Sequence, residues 1–349
     1  MEWYSMEKQL VIMKKILFIS FLFSLNCSAQ FLGVEVKNTL NQRFGHGSSF
    51  ITPSLTFEST CVLEPSAVRV GDSIYYYYSG GCVPIAIGLA TSYGLSGTLN
   101  KRGQVIGTGM AGNRNTNSSF ALYTGGTFYI YAANNYTGNQ AYLYTSTNGY
   151  SFTDQGVIFG STLIPSVSSY GNMCILVDTS GAPAQIVGKY RAYVEANEGF
   201  QWMLYLLEST SLTSGWTFVQ RLNSLKIGTG SWSGASAILL DGVTHMFYHY
   251  SSAGTIPTYV AYASASDGIN FTQKEVPLKR FETPAYGAST DQIADQFILP
   301  YGNKVAMFAE YGRNSGGYAF TIYKWVYDGT FKQLITGLNN CIGCAGIYP

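Results

Sequence analysis

The stretch Pro65-Ser-Ala-Val-Arg-Val-Gly-Asp-Ser-Ile-Tyr-Tyr-Tyr-Tyr78, followed by Ile87-Gly-Leu-Ala-Thr-Ser92, sets a pattern that the rest of the chain repeats. An apolar strand runs into a glycine turn, an aromatic strand, a polar loop and a third strand ending in Ser or Thr. Glycine supplies the left-handed backbone such turns need, and Tyr suits a half-buried pleated surface. Copy two is Phe120–Tyr131 with Ala141–Ser146, and copy three is Met173–Val177 with Tyr190–Glu195 and Met203–Ser209. Copy four is Ala237–His249 with Tyr259–Ser264, and copy five is Gln296–Glu310 with Tyr318–Tyr323. Asn148-Gly149, Asp267-Gly268 and Asp328-Gly329 read as tight hairpin turns towards a fourth strand.

Gly71, Gly242 and Gly302 mark the first turn of copies one, four and five, and copies two, four and five align to copy one at offsets of 53, 170 and 231 residues. The mean repeat of about 58 residues fits four short strands plus loops, and radial repetition protects their edges. The fold class expected is all-β, a five-bladed β-propeller of four-stranded antiparallel blades, with blades over residues 60 to 335. Unequal repeats would favour a sandwich instead. No amphipathic helix and no domain linker is read.

The 349 residues are 46% hydrophobic and 11% charged, with a formal net charge of +1. Such a chain has no basic surplus for a phosphate backbone, which argues against nucleic acid as a partner. Lys14 and Lys15 precede ten apolar residues, Ile16 to Leu25, and Cys27-Ser-Ala29 supplies small residues for cleavage. Residues 1–29 therefore read as a signal peptide, with Met13 as the true start and 30–349 as one propeller domain. The mature chain is expected to be bacterial, secreted or periplasmic and monomeric, with no transmembrane segment. A lipid anchor on Cys27 is the alternative, disfavoured because Leu25-Asn26 lacks the small residue that precedes a lipidated Cys. Cys61 and Cys82 flank the first strand pair and are expected to form a disulfide, which export permits. Cys341-Ile-Gly-Cys344 is a lone CxxC, better read as a local disulfide or two thiols than as a zinc site.

Glu64-Pro65 through Ser79, with Ile87–Ser92, resembles the first blade of the five-bladed propeller glycoside hydrolases, the arabinanase and β-xylosidase family with its invertase and levansucrase relatives. Asp295–Glu310, the Ala-Ser-Ala-Ser-Asp-Gly-Ile-Asn-Phe stretch ending at Phe271 and Glu208–Trp216 share the same cadence. The resemblance covers residues 60 to 332. It implies three acids at the starts of innermost strands: a base or nucleophile in blade one, a second Asp in blade two and a proton-donating Glu in blade three. Here the blade-one position is Glu64 and the blade-two position is Asn117. Blade three offers Asn172, and Asp295 is the acid at the matching point of blade five.

Strands alternate direction, so first-strand starts and second-strand ends share one rim of the channel. The first-strand positions are Glu64, Asn117, Asn172, Gly234 and Asp295; the second-strand ends are Ser79, Ala132, Glu195, His249 and Glu310. Four carboxylates and a histidine are thus expected at one channel end, with Glu64, Glu195 and Asp295 catalytic. Crowded acids split their pKa values, as paired carboxylates in glycoside hydrolysis require. Asn117, Asn172, Trp232, His249 and Glu310 are expected to line the substrate site, Trp232 by stacking on a sugar ring. The blander alternative makes Glu195 and Glu310 rim residues paired with Arg191 and Arg313. No cofactor is expected, although His249 could hold a water or a cation. Gly107-Thr-Gly-Met-Ala-Gly112 matches GxGxxG but leads into a polar loop rather than a helix, so it is read as an inter-blade loop. No Ser-His-Asp or Cys-His triad is read. The functional expectation is a glycoside hydrolase acting on a glycan at the channel mouth, with a non-catalytic carbohydrate-binding propeller as the alternative.

Overall fold

Strand Val62–Val70 turns at Gly71-Asp72 into Ser73–Gly80, and Ala86–Tyr93 and Asn100–Gly107 complete the first antiparallel sheet. In this computed structural model the described residues are 43–44, 47–81, 86–107, 111–112, 116–134, 139–199, 201–225, 231–251, 258–273, 291–313 and 319–339. All of them belong to one compact unit, residues 39–349. The proposed signal peptide, Cys82, residues 108–110 of the GxGxxG stretch and the C-terminal CxxC lie outside the described residues. Cys61 is disulfide-bonded.

The same four-stranded order recurs five times, giving a five-bladed β-propeller as the repeat predicts. The innermost strands are Val62–Val70, Asn117–Thr124, Ser169–Ile175, Ser231–Leu240 and Asp291–Tyr301. Each packs against the next, and the first packs against the last, so the ring closes. Polar side chains stitch neighbouring blades where the inner strands have no ladder between them. Ser66 Oγ accepts from the Ala121 N–H at 2.7 Å, and Ser236 Oγ accepts from the Ile298 N–H at 3.1 Å. Tyr77, Tyr131 and Tyr193 each donate a hydroxyl to a turn carbonyl of the following blade, those of Gly149, Leu212 and Gly268. The tyrosine-rich second strands thus pack their rings in the core while their hydroxyls link the blades.

Two elements depart from the sequence reading. The fourth strand of blade five comes from the N-terminal side: Ser48–Ile51 pairs antiparallel with Ala319–Asp328. Closing the ring with strands from both ends protects an edge that would otherwise template aggregation. The segment after Asp328-Gly329 forms the helix Phe331–Asn339 instead of a strand. Thr330 and Gln333 exchange capping hydrogen bonds at 2.8 and 3.2 Å. Phe331, Leu334, Ile335 and Leu338 form its buried face against Ile238, Phe247, Tyr262 and Trp325. Among the described residues no helix is long and apolar enough to cross a membrane.

Candidate active site

Every innermost strand carries a β-bulge near its start, where two residues oppose one on the second strand. The register makes Glu64, Ser118, Gly171, Gly234 and Asp295 the equivalent first bulge residues. Glu64, Gly234 and Asp295 have φ of 53°, 55° and 51°, a left-handed conformation that non-glycine residues seldom adopt. This corrects the offset arithmetic in two blades. Asn117 precedes the bulge by one residue and Asn172 is its second residue. A one-residue slip sends a strand's side chains to the other face. Turns set this register, because Gly71, Gly125 and Gly302 each follow the bulge residue by the same interval and each is left-handed.

The bulge aims Glu64 into a buried polar cluster. Ser79 donates its hydroxyl to Glu64 Oε2, and Asn117 Nδ2 donates to Oε1 at 3.3 Å. Asn117 therefore reaches the site despite its shifted register, as a holder of the Glu64 carboxyl. Asn172 contributes its main chain: its N–H donates to Glu195 Oε2 at 3.3 Å, and the Gly234 N–H donates to the same oxygen at 3.1 Å. Gly171 makes room for Glu195. A Cβ there would lie 3.0 Å from Glu195 Cδ and 3.0 Å from the half-buried Trp202 ring. Glu195, an acid on a second strand, thus lies against the bulge where blade one has Glu64.

His249 bridges two blades. Its Nε2 lies 2.6 Å from Ser233 Oγ and its Nδ1 lies 3.2 Å from Asp295 Oδ1. Gln292 Nε2 donates to Glu310 Oε1 at 2.6 Å. Gln296, the second bulge residue of blade five, donates to the Gly234 and Phe247 carbonyls.

Charge couples these groups. Burial pushes the Glu195 carboxyl up to about 8, with the negative charges of Asp295 and Glu64 adding to it and His249 opposing. Burial, then Asp295 and Glu64, hold Glu310 well above the ordinary carboxylate range. Burial disfavours a charged His249, but Asp295 and Glu195 outweigh it and raise the imidazole above its ordinary value. Glu64, Glu195, Asp295, Glu310 and His249 thus form one interacting set, drawn from blades one, three, four and five. Arg191 does not neutralise Glu195; it pairs with Glu208 at 2.9 Å. A buried acid that keeps its proton near neutral pH beside other carboxyls is equipped to donate that proton to a leaving group.

Trp232 is a correction. It is fully buried, with the Arg221 guanidinium 5.4 Å over its ring, and has no face on which a sugar could stack. Ser233, His249 and Asp295 have the connectivity of a serine-hydrolase triad, which sequence reading missed. Ser233 is 1% exposed, and the charges around it are carboxylates, which oppose the developing oxyanion such a reaction needs. Ser79 stands where the sequence places a second-strand end at the rim; Ser233, Gln292 and Gln296 carry no legible sequence signal beyond sitting within a few residues of the bulge positions. Among the described residues no group of three or more His, Cys, Asp and Glu has the arrangement of a metal site.

No family profile and no curated protein matches the chain. Solved structures do match its fold. A thermostable family-43 glycoside hydrolase superposes with a TM-score of 0.58 at 13% identity, over 79% of this chain and 91% of its own. A Bacillus subtilis arabinanase gives 0.52 at 12% identity, over 80% and 95%. A Bombyx mori β-fructofuranosidase of family 32 gives 0.57 at 13% identity, over 84% and 64%. The chain shares their five-bladed propeller fold.

Proposed function

We propose that the chain is an exported glycoside hydrolase that takes a glycan into the channel mouth of the propeller. The observation that carries the reading is the gathering of buried Glu64, Glu195 and Glu310 with the partly buried Asp295 as one interacting set, with one carboxyl pushed up to about 8. Glycoside hydrolysis needs one carboxyl protonated and a second ionised across the scissile bond. Glu195 is the proton donor. Glu64, held by Ser79 and Asn117, is the base or nucleophile. Asp295 orients the sugar hydroxyls, and His249 and Glu310 hold Asp295. The fold shared with enzymes titled glycoside hydrolase, arabinanase and β-fructofuranosidase supports the same reading. Secretion or periplasmic export follows from the signal-like leader in the sequence.

Ser118 and Gly171 at the bulges of blades two and three favour a second reading, a carbohydrate-binding propeller without catalysis. Incubating purified protein with a panel of plant and algal glycans separates the two. Release of mono- or oligosaccharide supports the hydrolase; binding without release supports the binding module. Neither release nor binding would leave both readings wrong.

A further inference from the structure

His249 Nδ1 faces two groups of one residue at nearly equal distance, the Asp295 carboxylate oxygen Oδ1 at 3.2 Å and the Asp295 main-chain nitrogen at 3.1 Å. A single ring nitrogen cannot serve both. With a proton it donates to Oδ1; without one its lone pair accepts the main-chain N–H. We propose that His249 is a positioning residue whose proton decides which part of Asp295 it holds, the carboxylate when charged and the backbone when neutral.

The surroundings fit a ring that stays in place while its proton comes and goes. Ser233 Oγ lies 2.6 Å from Nε2, and a hydroxyl that both donates and accepts satisfies that nitrogen in either state. Gly234 clears the space between the partners. A Cβ there would collide with the imidazole and lie 2.6 Å from Asp295 Oδ1. Among the described residues, Asp295 Oδ1 has no hydrogen-bond donor other than His249 Nδ1. The charged groups that bear on the imidazole are Asp295 from blade five and Glu195 from blade three, with Glu64 and Glu310 gathered around them. On its own strand the neighbours are Tyr248 and Tyr250, and its partner on the adjacent strand is the apolar Val260. His245 is the internal contrast. It pairs with the Tyr262 hydroxyl at 2.8 Å, and burial outweighs the opposing charge of Asp241 and pushes it down to about 4.

The consequence rests on the hydrolase reading: below the His249 midpoint the imidazolium fixes Asp295 through Oδ1, and above it Oδ1 loses that donor and the carboxyl is left to its contact with Glu310. An alkaline loss of activity would follow, but deprotonation of Glu195 gives the same limb. The test therefore reads the imidazole itself and holds whether or not a glycan is cleaved. Full-length protein labelled with 15N in its histidine rings is titrated by NMR from acid to alkaline pH. His249→Gln assigns the His249 signals among the three histidines. The expected result is a midpoint above the ordinary imidazole value of about 6.5. Above that midpoint Nδ1 takes the shift of an unprotonated nitrogen and Nε2 keeps its proton. In Asp295→Asn the midpoint falls. A wild-type midpoint at or below the ordinary value would overturn the proposal. So would an unchanged midpoint in Asp295→Asn, or a neutral ring protonated on Nδ1. The last criterion needs no Asp295 variant and decides the matter if Asp295→Asn does not fold.

Discussion

Glu64 and Asp295 hold a backbone conformation that costs of order 1–3 kcal/mol each and persists only where surrounding structure enforces it. The enforcement is visible in Ser79 and Asn117 around Glu64 and in His249 against Asp295. These two acids were legible in the sequence because turn-to-bulge spacing is conserved between blades one and five. Asn117 is misplaced by one residue because the offset of 53 falls one short of the Gly71-to-Gly125 interval, and Asn172 because blade three has Asp178 where blades one, two and five have the turn glycine that sets the register. Trp232 was misread because sequence position near a rim does not report burial. At this scale Glu195 gives a prediction with a definite sign. Its folded pKa, about 8, lies above the ordinary carboxylate value, so the folded state binds the proton more tightly than the unfolded chain. That contribution is present below about 4.5 and is lost as pH rises through about 8. Glu195→Gln cannot titrate. Its thermal stability relative to wild type should climb between about pH 5 and pH 8 and level off above that. A difference that stays flat across that range would mean Glu195 is ionised in the folded protein.

Hairpins were the best-read elements. Asn148-Gly149 and Asp267-Gly268 turn as their composition requires, with Asn148 Oδ1 and Asp267 Oδ1 each accepting two main-chain N–H bonds. Asp328-Gly329 looked the same and leads into a helix. Four apolar residues at helical spacing were too short a pattern to outweigh the turn signal, and the Thr330/Gln333 cap was overlooked. One turn breaks the rule in the other direction. Gln185–Ile186 pairs with Lys189 and Tyr190 across Val187-Gly188, whose φ angles are 51° and 73°. A β-branched residue is poorly suited to that first position, and Val187 is 95% exposed, so no packing offsets the strain. Val187→Asn should stabilise the protein by about 0.5–1 kcal/mol, measured by denaturant midpoint at constant slope. A lower midpoint would show that the valine makes a contact worth more than the strain.

Five near-equal repeats determine a ring, and the repeat length alone was enough to read it. What repetition could not show is how the ring closes, because the closing strand Ser48–Ile51 lies outside the repeated pattern and pairs with residues about 270 positions away. Ile51 is its buried anchor, in the same core as Tyr76 and Phe308. Ile51→Ala should cost about 2–4 kcal/mol, a value typical of a core cavity, while a surface-like change below about 0.5 kcal/mol would mean the closure is dispensable. Closure matters to function because the carboxyl cluster draws Glu64 from the first blade and Asp295 and Glu310 from the last. The most direct measurement is the hydrolysis rate of Glu64→Gln against wild type on a glycan that the wild type cleaves. The change is nearly isosteric and keeps an acceptor for Ser79. Loss of the reactive carboxylate should lower kcat/KM by several orders of magnitude with folding intact. A variant that cleaves the glycan at the wild-type rate would contradict the placement of the reaction at Glu64 and with it the account of the channel mouth as the active site.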